Sequence, residues 1–378
     1  DLGFVYLGPV DGHNIEELDE ILLAAKSYEC PVLVHVNTVK GRGYKPSENN
    51  PGEYHGVSRF DVETGNPEAA CKDTFSDMFG KFLVQAAKKD DSLCAITAAM
   101  EHGTGLHYFS RAFPRRYFDV GIAEQHAVTF AASLAKQGFL PVFAVYSSFL
   151  QRAYDQLIHD VAISGAHVVL GVDRAGLVGE DGETHHGMFD VSFISTVPGA
   201  VIYSPSCYDE LYICMKRAMY EDTGLACVRY PRGSDHTQFD KTALNSDYTH
   251  ITGKKTDTLL ISYGRIYDNL FKANKKAMEE DINCDLLKLT RIFPIDKTAV
   301  NIACSYNKII FFEEAYDIGS ISRQFGSLLI ENGYKGSYEC VTAKGFVTQA
   351  SMDSQFEKLG FSVDKMLERI RKSSGKEI

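Results

Sequence analysis

The chain has 378 residues, enough for two or three domains, and 44% of them are hydrophobic, enough to build real cores. Its net charge of −11, from 39 Lys and Arg against 50 Asp and Glu, argues against a general nucleic-acid or anionic-membrane surface. No apolar run is long enough to span a bilayer, no signal peptide is visible, and nine singly scattered cysteines without zinc-ligand or redox spacing read as reduced thiols of a cytoplasmic protein.

Residues 1–73 open with a strand over 4–7, a Gly-Pro-Val-Asp-Gly turn and a helix over 15–27, in which Leu18, Ile21, Leu22 and Ala25 recur at helical spacing. An apolar strand over 31–38 completes a βαβ fragment of a parallel sheet, and residues 40–56 read as an irregular connection. Because this opening starts with Asp and reads like the middle of a domain, the polypeptide is expected to be truncated, processed or partial. Residues 74–235 then alternate. A helix over 74–89 leads to a strand over 93–97, one over 124–137 to a strand over 141–146, and one over 149–164 to a strand over 167–173. Such alternation predicts a doubly wound α/β domain whose ligands bind at the carboxyl ends of the strands, where Tyr146, Asp173 and Arg174 fall. Residues 236–253 read as a polar linker. Residues 254–378 form a third α/β unit with strands over 256–264, 284–289 and 308–312, a helix over 319–331 and a charged tail. Glu313-Glu314 reads as a helix-start or interface feature.

Four segments carry candidate chemistry. In Gly121-Ile-Ala-Glu-Gln-His-Ala-Val128, Glu124 begins a helix, which is either compensation of the helix dipole or a carboxylate offered to a ligand. In Tyr146-Ser-Ser-Phe-Leu-Gln-Arg-Ala-Tyr-Asp-Gln156, Phe149 and Arg152 share a helix face, as a core ring and an ion-paired cation or as ligand contacts. The stretch from Asp173-Arg174 to Gly179-Glu-Asp-Gly-Glu-Thr-His-His-Gly187 offers Asp181 and His185 on a Gly-rich loop, with His186 as a rival to His185. Imidazole suits proton transfer near neutral pH, although a satisfied loop histidine and an Asx turn are the plain alternatives. Tyr230-Pro-Arg-Gly233 is either a turn with an exposed Arg232 or part of an anion site. In so acidic a chain a phosphorylated substrate needs a local Arg cluster, since the guanidinium fork matches phosphate.

In this order and spacing, and from Tyr6-Leu-Gly-Pro-Val-Asp-Gly-His13 onward, the chain resembles the 1-deoxy-D-xylulose-5-phosphate synthase family, transketolase-like enzymes that use thiamin diphosphate. The resemblance implies a doubly wound thiamin-diphosphate-binding fold with a C-terminal α/β domain. The divisions are the end of a diphosphate-binding domain with its connection (1–73), a pyrimidine-binding domain (74–235), a linker (236–253) and a transketolase-like C-terminal domain (254–378). It implies decarboxylative condensation of pyruvate with D-glyceraldehyde 3-phosphate to 1-deoxy-D-xylulose 5-phosphate and CO₂, a step toward isoprenoid precursors, thiamin and pyridoxal. Glu124 would meet the aminopyrimidine, Phe149 stack on it, Ile122 wedge the cofactor into its bent form and Arg152 lie close by. Tyr146, Arg174 and Arg232 would clamp the acceptor phosphate. Asp181 would bind acceptor hydroxyls, and His185 and His55 would manage protons, with the Thr-His step favouring His185 over His186. The family also holds Mg²⁺ on a Gly-Asp-Gly motif with a later Asn. This chain has no Gly-Asp-Gly, so no metal ligand is assigned here; the ligands are expected upstream of residue 1, and residues 1–378 alone are expected to be inactive. A homodimer is expected. The alternatives are another transketolase-type enzyme, such as transketolase or half of a 2-oxoacid dehydrogenase, and a non-catalytic dimerisation fragment.

Overall fold

A computed structural model describes residues 2–55, 60–66, 73–237 and 246–375. The chain forms two compact units, Asp1–Ala70 and Cys71–Ile378. In the first, strands β1 (Val5–Asp11) and β2 (Val32–Asn37) pair in parallel around the helix Ile15–Lys26, the expected βαβ fragment. The helix starts where it should, because the Asn14 side chain accepts from the Glu17 N–H and so satisfies an orphan donor of the first turn. Asp11 and His13 are absorbed by the turn: Asp11 Oδ1 accepts from the His13 N–H, and His13 Nε2 accepts from the Val39 N–H.

The second unit holds strands β3 (Leu93–Thr97), β4 (Tyr117–Asp119), β5 (Leu140–Tyr146), β6 (Val168–Asp173), β7 (Val201–Tyr203) and β8 (Leu225–Arg229). Beyond them come β9 (Tyr248–Ile251), β10 (Thr258–Tyr263), β11 (Asp285–Leu289), β12 (Arg291–Phe293), β13 (Lys308–Tyr316) and β14 (Ser337–Ala343). A seven-stranded sheet runs in the order β12-β7-β8-β6-β5-β3-β4, and a five-stranded sheet in the order β14-β13-β10-β11-β9. Strands β3, β6 and β8 are buried along their whole length, which is why they read as continuous apolar runs rather than alternating ones. The helix Phe75–Ala87 begins with a reciprocal capping box between Thr74 and Asp77.

Several segments differ from the sequence expectation, among them a short helix, Lys45–Asn49, in the span read as irregular. The helix expected over 149–164 is not one regular cylinder. It begins as the α-turn Ser147–Leu150, tightens over Gln151–Ala153 and widens to a π-type turn over Leu157–Ile163. Wide turns of this kind break the helical register and occur at functional sites. Within the span read as a linker, Tyr248–Ile251 forms β9, an antiparallel edge strand on β11. The charged tail is folded into two helices, Met352–Leu359 and Val363–Ser373, each capped by a serine side chain. Their charges sit on the solvent side, while Met366, Leu367 and Ile370 are buried.

The two sheets share one apolar core, in which Phe143 and Val172 belong to the same cluster as Leu259, Ile261 and Phe311. Strand β12 strengthens this union: it follows β11 in the chain yet pairs with β7 on the edge of the larger sheet.

Candidate active site

Parallel pairing sets Tyr146 beside Asp173 at the carboxyl ends of β5 and β6, and the site is built outward from that pair. Asp173 is fully buried; burial pushes its carboxyl pKa up, while Arg174 and the Ser76 hydroxyl pull it back down. Ser76 Oγ donates to Asp173 at 2.7 Å, the Arg174 N–H donates to it at 2.7 Å, and Arg174 Nη1 at 2.8 Å. Arg174 sits at φ 57°, a left-handed conformation that costs a non-glycine residue about 1 kcal/mol or more and marks sites where position matters more than comfort. Its guanidinium lies 4.1 Å from the Tyr146 ring centre, and Nη1 also reaches Ser76 Oγ and the Gly103 carbonyl. Arg174 Nε is buried and has no hydrogen-bond partner among the described residues, and the same holds for the nearby Ser147 Oγ and Tyr230 hydroxyl.

An aromatic row continues from Tyr146. Its ring stacks on Phe149 with centres 5.6 Å apart, and Phe149 meets the edge of His185 at 5.3 Å. Burial raises the Tyr146 phenol pKa; among the charges that act on it, Arg174 and Arg232 lower it and Asp173 and Asp181 raise it. Arg152 lies 5.3 Å from the Phe149 ring centre and donates to Glu124 Oε1 at 2.9 Å. Glu124 is only 2% exposed, an ionisable group taken almost wholly out of water at the first residue of the helix Glu124–Lys136. Asp119 fixes the approach to it by accepting from the Ala99 and Gly121 N–H groups. The turn presents Ile122, 81% exposed, immediately before the buried carboxylate. His126, next in the motif, is exposed and stacks on Phe130 instead.

The Gly-rich loop separates the two adjacent histidines. His185 faces the aromatic row, with Nδ1 at 2.9 Å from Thr184 Oγ1. His186 is buried on the opposite side, where Nδ1 accepts from the Val178 N–H at 3.0 Å, so it holds the loop together. Asp181 pairs with Arg232 at 2.9 Å, and Arg232 Nη1 also donates to the Val178 carbonyl. Both partners of that pair are about a third exposed, so an incoming anion competes only with a modest surface ion pair. His55 lies in the first unit, where Nδ1 is 2.5 Å from Lys40 Nζ. The second unit therefore links Glu124, Arg152, Phe149, Tyr146, His185 and Arg174 by direct contacts, while Asp181, on the same loop as His185, pairs with Arg232.

Sequence reasoning missed Ser76 and Gly103, which hold the Arg174 guanidinium from 98 and 71 residues away; no local pattern marks them. Among the described residues no group of three or more His, Cys, Asp or Glu side chains could hold a metal ion.

The sheets are those of the transketolase class. A family model described as "Transketolase, pyrimidine binding domain" matches residues 72–235, "Transketolase, C-terminal domain" matches 247–366, and "1-deoxy-D-xylulose-5-phosphate synthase" matches 1–38. A 1-deoxy-D-xylulose-5-phosphate synthase of Clostridium acetobutylicum is 44% identical over 337 residues, covering 88% of this chain and 54% of that protein. One from Caldanaerobacter subterraneus is 41% identical over 99% of this chain and 61% of its own length. Among solved structures, a split-gene transketolase described as an inactive β4 tetramer superposes with a TM-score of 0.72 at 20% identity, over 81% of this chain and 100% of that one. A Campylobacter jejuni transketolase gives 0.68 at 17% identity, over 98% of this chain and 67% of that one. At such identities the structures show the fold alone. The chain belongs to the 1-deoxy-D-xylulose-5-phosphate synthase family of thiamin-diphosphate enzymes, and spans 54–61% of the length of these two curated relatives.

Proposed function

We propose that this chain takes part in the thiamin-diphosphate-dependent condensation of pyruvate with D-glyceraldehyde 3-phosphate, releasing CO₂ and forming 1-deoxy-D-xylulose 5-phosphate. The observation that carries this reading is the buried Glu124 carboxylate, paired with Arg152 and continuous with the Phe149–Tyr146–His185 row. A carboxylate this buried and this poorly hydrated is costly unless it serves a partner.

The residues fit the pyrimidine end of the cofactor. Glu124 offers a carboxylate oxygen to a ring nitrogen, Phe149 a ring face, and Ile122 an exposed apolar wedge beside them. They do not fit the diphosphate end: the chain lacks Gly-Asp-Gly, and the described residues offer no metal cluster. Bound at Glu124, thiamin diphosphate would supply the carbon nucleophile that pyruvate chemistry needs.

The chain's own residues do the rest. Glu124 shares a proton with the pyrimidine and so sets its tautomer. Arg152 keeps that carboxylate oriented. His185, against Phe149, moves a proton to or from the reacting carbonyl oxygen. Arg174 Nε and the Arg232 fork bind the acceptor phosphate while Asp181 accepts from acceptor hydroxyls. On the family resemblance alone, His55 is proposed as a second proton carrier. Replacing Glu124 by Gln keeps the shape but removes the proton-sharing oxygen. CO₂ release by the complete protein containing these residues is expected to fall by about 100-fold or more; an unchanged rate would overturn the reading.

A further inference from the structure

The C-terminal sheet packs behind the loop that carries Asp181 and His185, and its side chains reach into that loop. Leu177 is held at both ends of its peptide. Its N–H donates to Glu314 Oε1 at 2.7 Å, and its carbonyl accepts from Arg265 Nη2 at 2.6 Å. Arg265 and Glu314 grip each other at a second point, Nε to Oε2 at 3.0 Å. The next residues are held in turn. Val178 donates to His186 and accepts from Arg232, the Gly179 carbonyl accepts from Gln355, and the Glu180 carbonyl accepts from Gln349. Four consecutive residues thus have backbone groups satisfied by side chains, four of which belong to the C-terminal domain: Arg265, Glu314, Gln349 and Gln355.

Two further observations show that the fit is specific. Gly176 lies at φ 85°, and a Cβ there would stand 2.6 Å from Glu314 Cδ, so the loop can pass only as glycine. Glu314 has little freedom to yield, since it is buried and tied to Arg265 and Leu177. Arg265 also lies within 3.4 Å of the Arg232 carbonyl, so one guanidinium touches the strand ends carrying both proposed acceptor-binding elements.

We propose that the Glu314–Arg265 pair of the C-terminal domain, with Gln355 and Gln349, positions the Asp181–His185 loop for the acceptor substrate. These are positioning residues, and the proposal rests on the function proposed above. It gives the third domain a part in acceptor recognition through backbone hydrogen bonds, without contact with the reacting atoms.

The test compares Glu314→Gln and the surface variant Gln349→Ala with Asp317→Asn, which lies in the same domain and pairs only with groups outside the loop. Backbone hydrogen exchange is followed in peptides covering 175–187 and, as reference, β10. Glu314→Gln is expected to speed exchange in 175–187 at least tenfold with β10 unchanged. Gln349→Ala should give a smaller rise confined to the same peptides, and Asp317→Asn none. In the complete protein, KM for the phosphorylated aldehyde should rise several-fold in Glu314→Gln with KM for pyruvate little changed. Equal exchange in 175–187 for all three variants would overturn the proposal, as would parallel changes in both KM values. Should Glu314→Gln not fold, Gln349→Ala decides by the same readout. A wild-type protein with no acceptor-dependent activity would sink the functional reading; the exchange data would still report whether the loop is held.

Discussion

At the scale of single residues, the proposed site turns on one group, and its environment makes the proposal testable. Glu124 is buried at a helix start and, among the described residues, has one charged partner, Arg152, whose own side chain is half exposed. Removing that partner strands a carboxylate in a place that cannot hydrate it. Arg152→Ala should therefore cost about 1–2 kcal/mol of stability, measured by denaturant unfolding at neutral pH. A loss within about 0.3 kcal/mol would mean that the Glu124 carboxylate finds compensation elsewhere. The identity of Glu124 was legible because a motif carries it, and so were Phe149 and Arg152, three residues apart on one turn. The tie between Arg174 and Ser76 was not. It crosses 98 residues, and the serine sits in a helix whose pattern announces only packing.

At the scale of elements, the loop from Ala175 to Gly187 shows how two like residues diverge. His185 and His186 are equivalent in composition, and only their surroundings assign them different work. Val178 N–H can only donate, so His186 Nδ1 must accept, and its ring must be neutral with the proton on Nε2. Burial holds the His186 pKa below the ordinary histidine value, with Glu314 and Glu183 raising it and Arg265 lowering it further. Its folded pKa is thus depressed relative to the unfolded chain. The stability it contributes is complete above the unfolded value of about 6.5 and is lost as pH falls from there through the folded pKa. Replacing His186 by Gln should flatten the decline of unfolding free energy below pH ~6.5. An unaltered slope would show that the Val178 bond survives protonation. The helix after β5 illustrates a different limit of sequence reading. Its residues fit one continuous 3.6-residue pattern, yet the turn widens over Leu157–Ile163, where Leu157 and Val161 pack into the core.

At the scale of the whole molecule, alternation of helix and strand announced the parallel strands over 93–97, 141–146 and 167–173, which are continuous apolar runs, but not β4, β7 and β8, which join the same sheet. It could not announce that β12, a three-residue segment after β11, crosses back to finish the larger sheet, since three residues carry no period. The same union is sealed by Arg229, wholly buried and bound at two points by Asp190 within the larger sheet's domain, under the β10 tyrosine Tyr263. With a shared core and a shared strand, residues 73–375 should unfold in a single cooperative transition. Calorimetry and an aromatic probe on either sheet should give one coincident midpoint; two separated midpoints would show that the halves are independent.

The most direct measurement is CO₂ release from pyruvate by the complete protein containing these residues, in thiamin diphosphate and Mg²⁺, with and without D-glyceraldehyde 3-phosphate. Release that rises with the aldehyde, yields 1-deoxy-D-xylulose 5-phosphate and collapses in Glu124→Gln is the result the account predicts. Release indifferent to the aldehyde, or ketol transfer between sugar phosphates without CO₂, would contradict it.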